Sequence, residues 1–200
     1  MPLFEEILRK AVHAASVVIP VAAVFFQRTD MVLFLCAAAL FLLLLDLLRA
    51  RNEVFRKFFL AMFGRMLRPK EQEGGMTAST VVLASAALTI MVFRTEIAVA
   101  SLVFLSLGDS SAALVGRHFG VTPLFGGRTL EGTLSALVAC LGASWLLLSL
   151  SGDLGWVLTP GGLLAGSITA ALAELVDLPL DDNLRIPVFA GLVMEFTIPG

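Results

Sequence analysis

Charge is what this sequence has little of. Only 15% of its 200 residues are Asp, Glu, Lys or Arg, while 58% are hydrophobic and the mean hydropathy is +0.93. Soluble domains carry roughly a quarter charged residues, so a water-soluble fold is excluded. A net charge of −2 and a pI of about 5.7 leave no basic surface for nucleic acid, which is excluded as a partner. Cysteine is almost absent: Cys36 and Cys140 each sit inside an apolar run and read as small buried hydrophobes, with no bearing on redox compartment. The few Cys and His residues make no zinc spacing. A Walker A loop and the HRD and DFG elements of protein kinases are missing as well. No period of 20–50 residues repeats, and no low-complexity tract divides the chain, so residues 1–200 read as one domain. No small-x-small cleavage site follows the first apolar run before Gln27-Arg28-Thr29-Asp30, which makes that run a membrane helix rather than a signal peptide.

What is present is apolar length. A bilayer core is crossed by about 20 apolar helical residues, and seven segments approach this: 11–26, 31–48, 77–93, 96–115, 132–150, 154–176 and 186–198. Pro160-Gly161-Gly162 interrupts the sixth, so its helix is expected to begin near Gly161. The seventh is expected to start at Pro187, a residue suited to a first helical turn, and its shortness implies a half-helix or completion by a second copy in a homodimer. Between the second and third segments, Arg49 to Gly75 mixes Phe55, Phe58, Phe59 and Phe63 with seven cations, the pattern of an amphipathic helix lying at the membrane interface. The expected architecture is all-α: a polytopic transmembrane bundle of about seven helices plus one interfacial helix. If the N-terminus is cytoplasmic, every Lys and Arg except Arg28 and Arg94 falls on that side, which orients the chain. Either a cell inner membrane or the endoplasmic reticulum would serve as host.

Chemistry is concentrated in a few short stretches on that side. Gly108, Ala112, Gly116 and Gly120 recur every fourth residue, a low-bulk stripe that lets a backbone or a ligand approach, and Asp109 stands beside it. A carboxylate at membrane depth is costly unless paired, metal-bound or facing a wet cavity, so Asp109 is a functional candidate; pairing with Arg117 or Arg128 in a packing motif is the alternative. Gly126-Gly127-Arg128-Thr129 opening a helix at Glu131 is a candidate anion site, because free N–H groups, helix dipole and guanidinium converge there. Asp177, Asp181, Asp182 and Asn183 crowd one loop as candidate oxygen ligands for a hard cation such as Mg2+, or as turn and cap formers, with Asp182 and Asn183 favoured as ligands. Lys10 and His13 edge the first helix, where Arg9-Lys10 also serve as positive-inside anchors. Arg68 and Glu71 precede the third helix and would also suit a surface ion pair. Asp46 is close enough to an interface to be explained by snorkelling.

Taken as a set, these residues resemble the CTP-dependent lipid kinases: dolichol kinase, the phytol and farnesol kinases and CTP-dependent diacylglycerol kinase. The resemblance rests on Gly108-Asp109-x-x-Ala112-x-x-x-Gly116-Arg117-x-x-Gly120, on Arg128-Thr129-x-Glu131-Gly132, on Asp182-Asn183-x-x-Ile186-Pro187, on Arg9-Lys10-x-x-His13 and on Arg68-x-x-Glu71. Arg128 departs from an expected Lys. Phosphatidate cytidylyltransferase shares a similar pairing, but the end of this chain has no counterpart of its Lys-Asp, His-Gly-Gly and Asp-Arg-x-Asp signature. The resemblance implies a transferase that moves the γ-phosphate of CTP to a lipid alcohol, with Mg2+ as cofactor. It implies Asp109, Glu131 and Asp182 as catalytic residues and Asp109, Asp182 and Asn183 as metal ligands. Lys10, His13, Arg68, Glu71, Gly108, Gly116, Arg117, Gly120, Arg128 and Thr129 would bind nucleotide. A nucleotidyl transferase or a non-enzymatic transporter is the alternative.

Overall fold

A computed structural model describes residues 15–176 and 180–199, and these residues are helical with short connections. The helices are α1 (Val18–Phe25), α2 (Arg28–Arg51), α3 (Glu53–Phe63), α4 (Pro69–Gln72), α5 (Ala78–Val92), α6 (Thr95–Phe119), α7 (Leu130–Leu154), α8 (Pro160–Leu175) and α9 (Asp182–Thr197). Three of them, α2, α6 and α7, are long and apolar enough to cross a membrane. Shorter apolar helices, α5, α8 and α9, have 15, 16 and 16 residues. Part of the first expected segment, 11–26, lies outside the described residues.

The axis of the bundle is α6, whose apolar window is 67% buried against 22% for α2 and 28% for α7. It packs on α1, α5, α7, α8 and α9, with Ile97, Ala98, Ala100, Phe104 and Leu105 fully enclosed. The low-bulk stripe is what lets α7 approach. A Cβ on Gly132 of α7 would stand 2.8 Å from the Ala112 carbonyl oxygen and 3.2 Å from Gly116 Cα, and one on Gly108 would stand 3.1 Å from Cys140 Sγ. The neighbour admitted by this stripe is therefore another backbone.

Helix ends follow from local chemistry. The Thr129 and Thr159 hydroxyls accept from Gly132 N and Gly162 N to cap α7 and α8, and α8 starts at Pro160, close to the expected position. At the opposite end from most cations, Arg28 donates to the carbonyls of Ile90 and Met91 at 2.8 and 2.7 Å, closing the end of α5. Arg94 does the same for Ile198 and Pro199 after α9, at 3.0 Å each. The two arginines that stand apart from the charge bias thus satisfy helix C-termini.

Two expectations are corrected. The last helix begins at Asp182 rather than Pro187, because Asp181 caps it by accepting from Asn183 N at 2.9 Å. Pro187 is consequently interior and removes the N–H that would bond the Asn183 carbonyl. The Ser85 hydroxyl of α5 replaces it at 2.6 Å. The stretch 49–75 is not one helix: Asn52 is extended and caps α3 by accepting from Phe55 N, and a 3-10 turn at Gly64–Met66 separates α3 from α4.

Ser85→Ala would leave the Asn183 carbonyl buried without a donor, and should lower stability by about 1–3 kcal/mol. The midpoint of thermal unfolding in detergent checks this. An unchanged midpoint would mean that the proline-freed carbonyl does not need Ser85.

Candidate active site

Three separated stretches meet at one end of the bundle. Asp109 of α6, Asp182 and Asn183 at the start of α9, and Arg68 and Glu71 around α4 line a single cavity of about 480 Å3. Its remaining wall is largely apolar, formed by residues such as Leu42 and Leu45 of α2, Phe59 and Phe63 of α3, and Val82 of α5. The cavity therefore offers both carboxylate and hydrocarbon lining.

A second cavity, of about 330 Å3, is lined by Gly116, Arg117, Gly127, Arg128, Thr129 and Glu174, among others. Arg128 stands between the two. Its Nε donates to Glu174 Oε1 at 3.1 Å and its Nη2 reaches both Asp182 oxygens at 3.3 and 3.2 Å, while Arg185 donates to Asp182 from the other side. Burial pushes the Asp182 carboxyl above its ordinary range; Arg185 and Arg128 pull it down, and Asp109 and Asp181 push it up. Two guanidiniums thus compensate a carboxylate group that solvent only partly reaches.

The loop carrying Arg128 is built by its glycines. Gly126 and Gly127 take positive φ of 65° and 77°, a conformation that side chains with a Cβ rarely adopt. The turn closes with Leu124 N donating to the Arg128 carbonyl at 2.7 Å. Glu131 lines neither cavity: its carboxylate accepts from the backbone N–H groups of Val121 and Thr122, pinning the start of the same loop. Gly120 also stands outside both cavities, packed so tightly on Thr129 that a Cβ would come within 2.6 Å of its methyl. Gly108 likewise serves the helix seam. Lys10, His13 and Asp177 lie outside the described residues. Arg68 and Glu71 are not a surface ion pair. Glu71 is buried, and its two oxygens accept from Arg68 N at 2.8 Å and Ala78 N at 3.1 Å, tying α4 to the start of α5.

Two groups outside the expected set matter. Glu174 holds Arg128, and its other oxygen is buried without a partner; its only sequence signal is an acidic residue at the end of an apolar helix. Asp46 does not snorkel. It is 4% exposed, paired with Arg49 at 3.0 Å, and accepts from Thr77 N, Thr77 Oγ1 and Thr80 Oγ1 at 2.9, 3.2 and 2.7 Å. Among the described residues, no three His, Cys, Asp or Glu side chains converge closely enough to hold a metal ion by themselves.

The chain is 28% identical to an uncharacterized protein of Rickettsia prowazekii over 185 residues, 90% of this chain and 88% of that one. It is 27% identical over 180 residues to CTP-dependent diacylglycerol kinase 1 of Saccharomyces cerevisiae, covering 80% of this chain and 62% of the relative. It is 29% identical over 159 residues to the protein of the same name in Schizosaccharomyces pombe, covering 74% and 72%. The chain thus spans less than two thirds of the S. cerevisiae protein. No family model and no solved structure matches. The fungal relatives support the resemblance to the CTP-dependent lipid kinase family and are consistent with an enzyme.

Arg128→Ala removes the cation shared by Glu174 and Asp182. Because Asp182 keeps partial solvent access and Arg185, the expected loss is about 2 kcal/mol, below that for breaking a fully buried pair. Protonation relieves the exposed repulsion, so the gap between wild type and variant should narrow as pH falls through the carboxylate range. Thermal midpoints measured across pH check the sign; a gap that widens toward low pH would contradict the pairing.

Proposed function

We propose that the chain transfers the γ-phosphate of CTP to the hydroxyl of a membrane lipid alcohol at the cytoplasmic face. Diacylglycerol, the acceptor class named in the fungal relatives, is the first candidate, and polyprenol, dolichol, phytol and farnesol are the others. The observation that carries the reading is a cavity lined by both carboxylates and hydrocarbon. An apolar wall suits a lipid body whose hydroxyl reaches Asp109, Asp182 and Asn183, and the adjoining cavity with Arg117 and Arg128 suits a polyphosphate. Cytoplasmic placement is supported by the Lys and Arg bias, since Arg28 and Arg94 alone fall on the other side.

In this reading the acceptor oxygen attacks the γ-phosphorus, the bond to the β–γ bridging oxygen breaks, and CDP leaves with that oxygen. Most of what a protein contributes to such a transfer is alignment and charge compensation. Arg117 and Arg128 grip the phosphates, Thr129 and the Gly127 turn shape their pocket, and Arg68 extends the nucleotide cleft into the larger cavity that it lines. Lys10 and His13 belong to the same cleft in this proposal. Glu131 acts through the 121–128 loop rather than by touching the reacting atoms. Asp109 either takes the proton of the attacking hydroxyl or joins the metal ligands.

The donor set fits a divalent ion of the Mg2+ kind, which favours one or two carboxylates with the substrate's phosphates and water completing its shell. Asp182, Asn183 and Asp109, which line the same cavity, would hold it together with phosphate oxygens and water. When bound, such an ion neutralises the charge that develops on the transferring phosphate.

Purified protein incubated with CTP labelled at the γ position and diacylglycerol should yield a labelled phospholipid and CDP. Label released as pyrophosphate would instead favour a cytidylyltransferase, and no nucleotide turnover with any acceptor would favour a transporter. Asp109→Asn should lower kcat by about 100-fold or more while leaving the thermal midpoint in place. Retention of most of the activity would remove Asp109 from the chemistry.

A further inference from the structure

We infer that Asp46 and Arg49, a buried pair outside every motif of the resemblance, are positioning residues that shape the acceptor end of the cavity and so govern which lipid alcohol is admitted. The inference rests on the lipid-acceptor reading above. Both side chains are almost wholly enclosed, at 0% exposed for Arg49 and 5% for Asp46. Arg49 Nη2 donates to Asp46 Oδ1 at 3.0 Å and to the Gly75 carbonyl at 2.6 Å. Its Nε and Nη1 have no partner, and the guanidinium lies 5.0 Å from the centre of the Phe59 ring. Asp46 in turn holds Thr77 and Thr80 of the α5 start.

The cavity residues touched by this pair are the ones that a lipid body would meet. Phe59 comes from the interfacial helix, Thr77 from the start of α5, and Leu45 precedes Asp46 on α2; all three line the cavity. One ion pair therefore ties together three elements that line the cavity. Glu71 adds a second tie to the same turn through Ala78 N, so the N–H groups of the α5 cap residue Thr77 and of its first residue Ala78 are both engaged.

Stability alone is a poor account of the pair. A buried ion pair can often be replaced by well-packed apolar residues without loss, and here two guanidinium nitrogens remain unsatisfied. What a planar cation offers that an apolar residue does not is simultaneous direction: a bond to Asp46, a bond to a backbone carbonyl, and a face against an aromatic ring. With about 480 Å3 of space, the cavity holds the hydroxyl-bearing end of an acceptor rather than whole acyl or isoprenoid tails, so the placement of Phe59 acts on the part of the lipid nearest the hydroxyl.

The test compares Arg49→Lys, which keeps the charge but loses the planar stack, and Phe59→Leu, which leaves the ion pair intact. Each is purified in detergent beside wild type. KM is measured for CTP, for a short-chain diacylglycerol and for farnesol, and binding of a labelled diacylglycerol is measured without CTP. The expected result for both variants is a KM for diacylglycerol raised about tenfold, the scale of a lost cation–ring contact and its alignment, with KM for CTP within about twofold of wild type. The diacylglycerol to farnesol preference and the CTP-free lipid affinity should shift with it. Equal rises in both KM values, or a lower thermal midpoint with an unchanged acceptor preference, would overturn the inference. Should Arg49→Lys fail to fold, Phe59→Leu decides alone, and an unchanged preference there is a refutation. Wild-type protein that transfers no γ-phosphate would instead sink the kinase reading, and the CTP-free lipid binding still reports on the pair.

Discussion

Inside a bundle this apolar, most polar groups are met by another polar group, and the placement of several helix ends traces to that requirement. Water is scarce among the packed helices, so an unmatched carbonyl, N–H or charge costs far more than it would at a soluble surface. Arg28 and Arg94 close carbonyl ends, Asp181, Thr129 and Thr159 close N–H ends, and Ser85 replaces the bond that Pro187 removes. Across helices, Ser144 and Ser167 satisfy one another at 2.8 Å.

The same requirement organises the candidate active site. Glu174 and Asp182 are tolerated because Arg128 spans them, and Arg185 adds a second compensating charge. Carboxylates drawn this close together with little water have to be balanced by cations. The guanidiniums of Arg128 and Arg185 supply that balance. The seam of small residues between α6 and α7 brings the arginine loop against Asp109's helix at close range, so backbone packing and site assembly share one cause.

Much of this was legible along the chain. Apolar runs identified the long helices within a few residues, since a bilayer-length stretch leaves a strong compositional mark. The Gly-Ala-Gly-Gly spacing marked the close seam. Asp109, Asp182, Asn183, Arg68 and Glu71, scattered across more than a hundred residues, do line one cavity. The start of α9 differs from the expectation because a proline usually opens a helix, whereas here an aspartate six residues earlier caps it and a serine on another helix repairs the interior proline. The interfacial stretch looked continuous because hydrophobic periodicity does not register a single extended residue such as Asn52.

Composition and spacing by themselves determined that the chain is an apolar helical protein with its chemistry held in a few acidic and basic residues, because burial of hydrocarbon and the cost of charge act on residue type alone. Which charges meet was decided by tertiary packing. Nothing in the local sequence of Asp46 distinguishes an interface anchor from a buried hub, and nothing around Glu174 announces that it grips Arg128. Those outcomes depend on which helix faces arrive opposite one another, and Coulomb attraction, falling with distance and strengthened by exclusion of water, is settled only when they do.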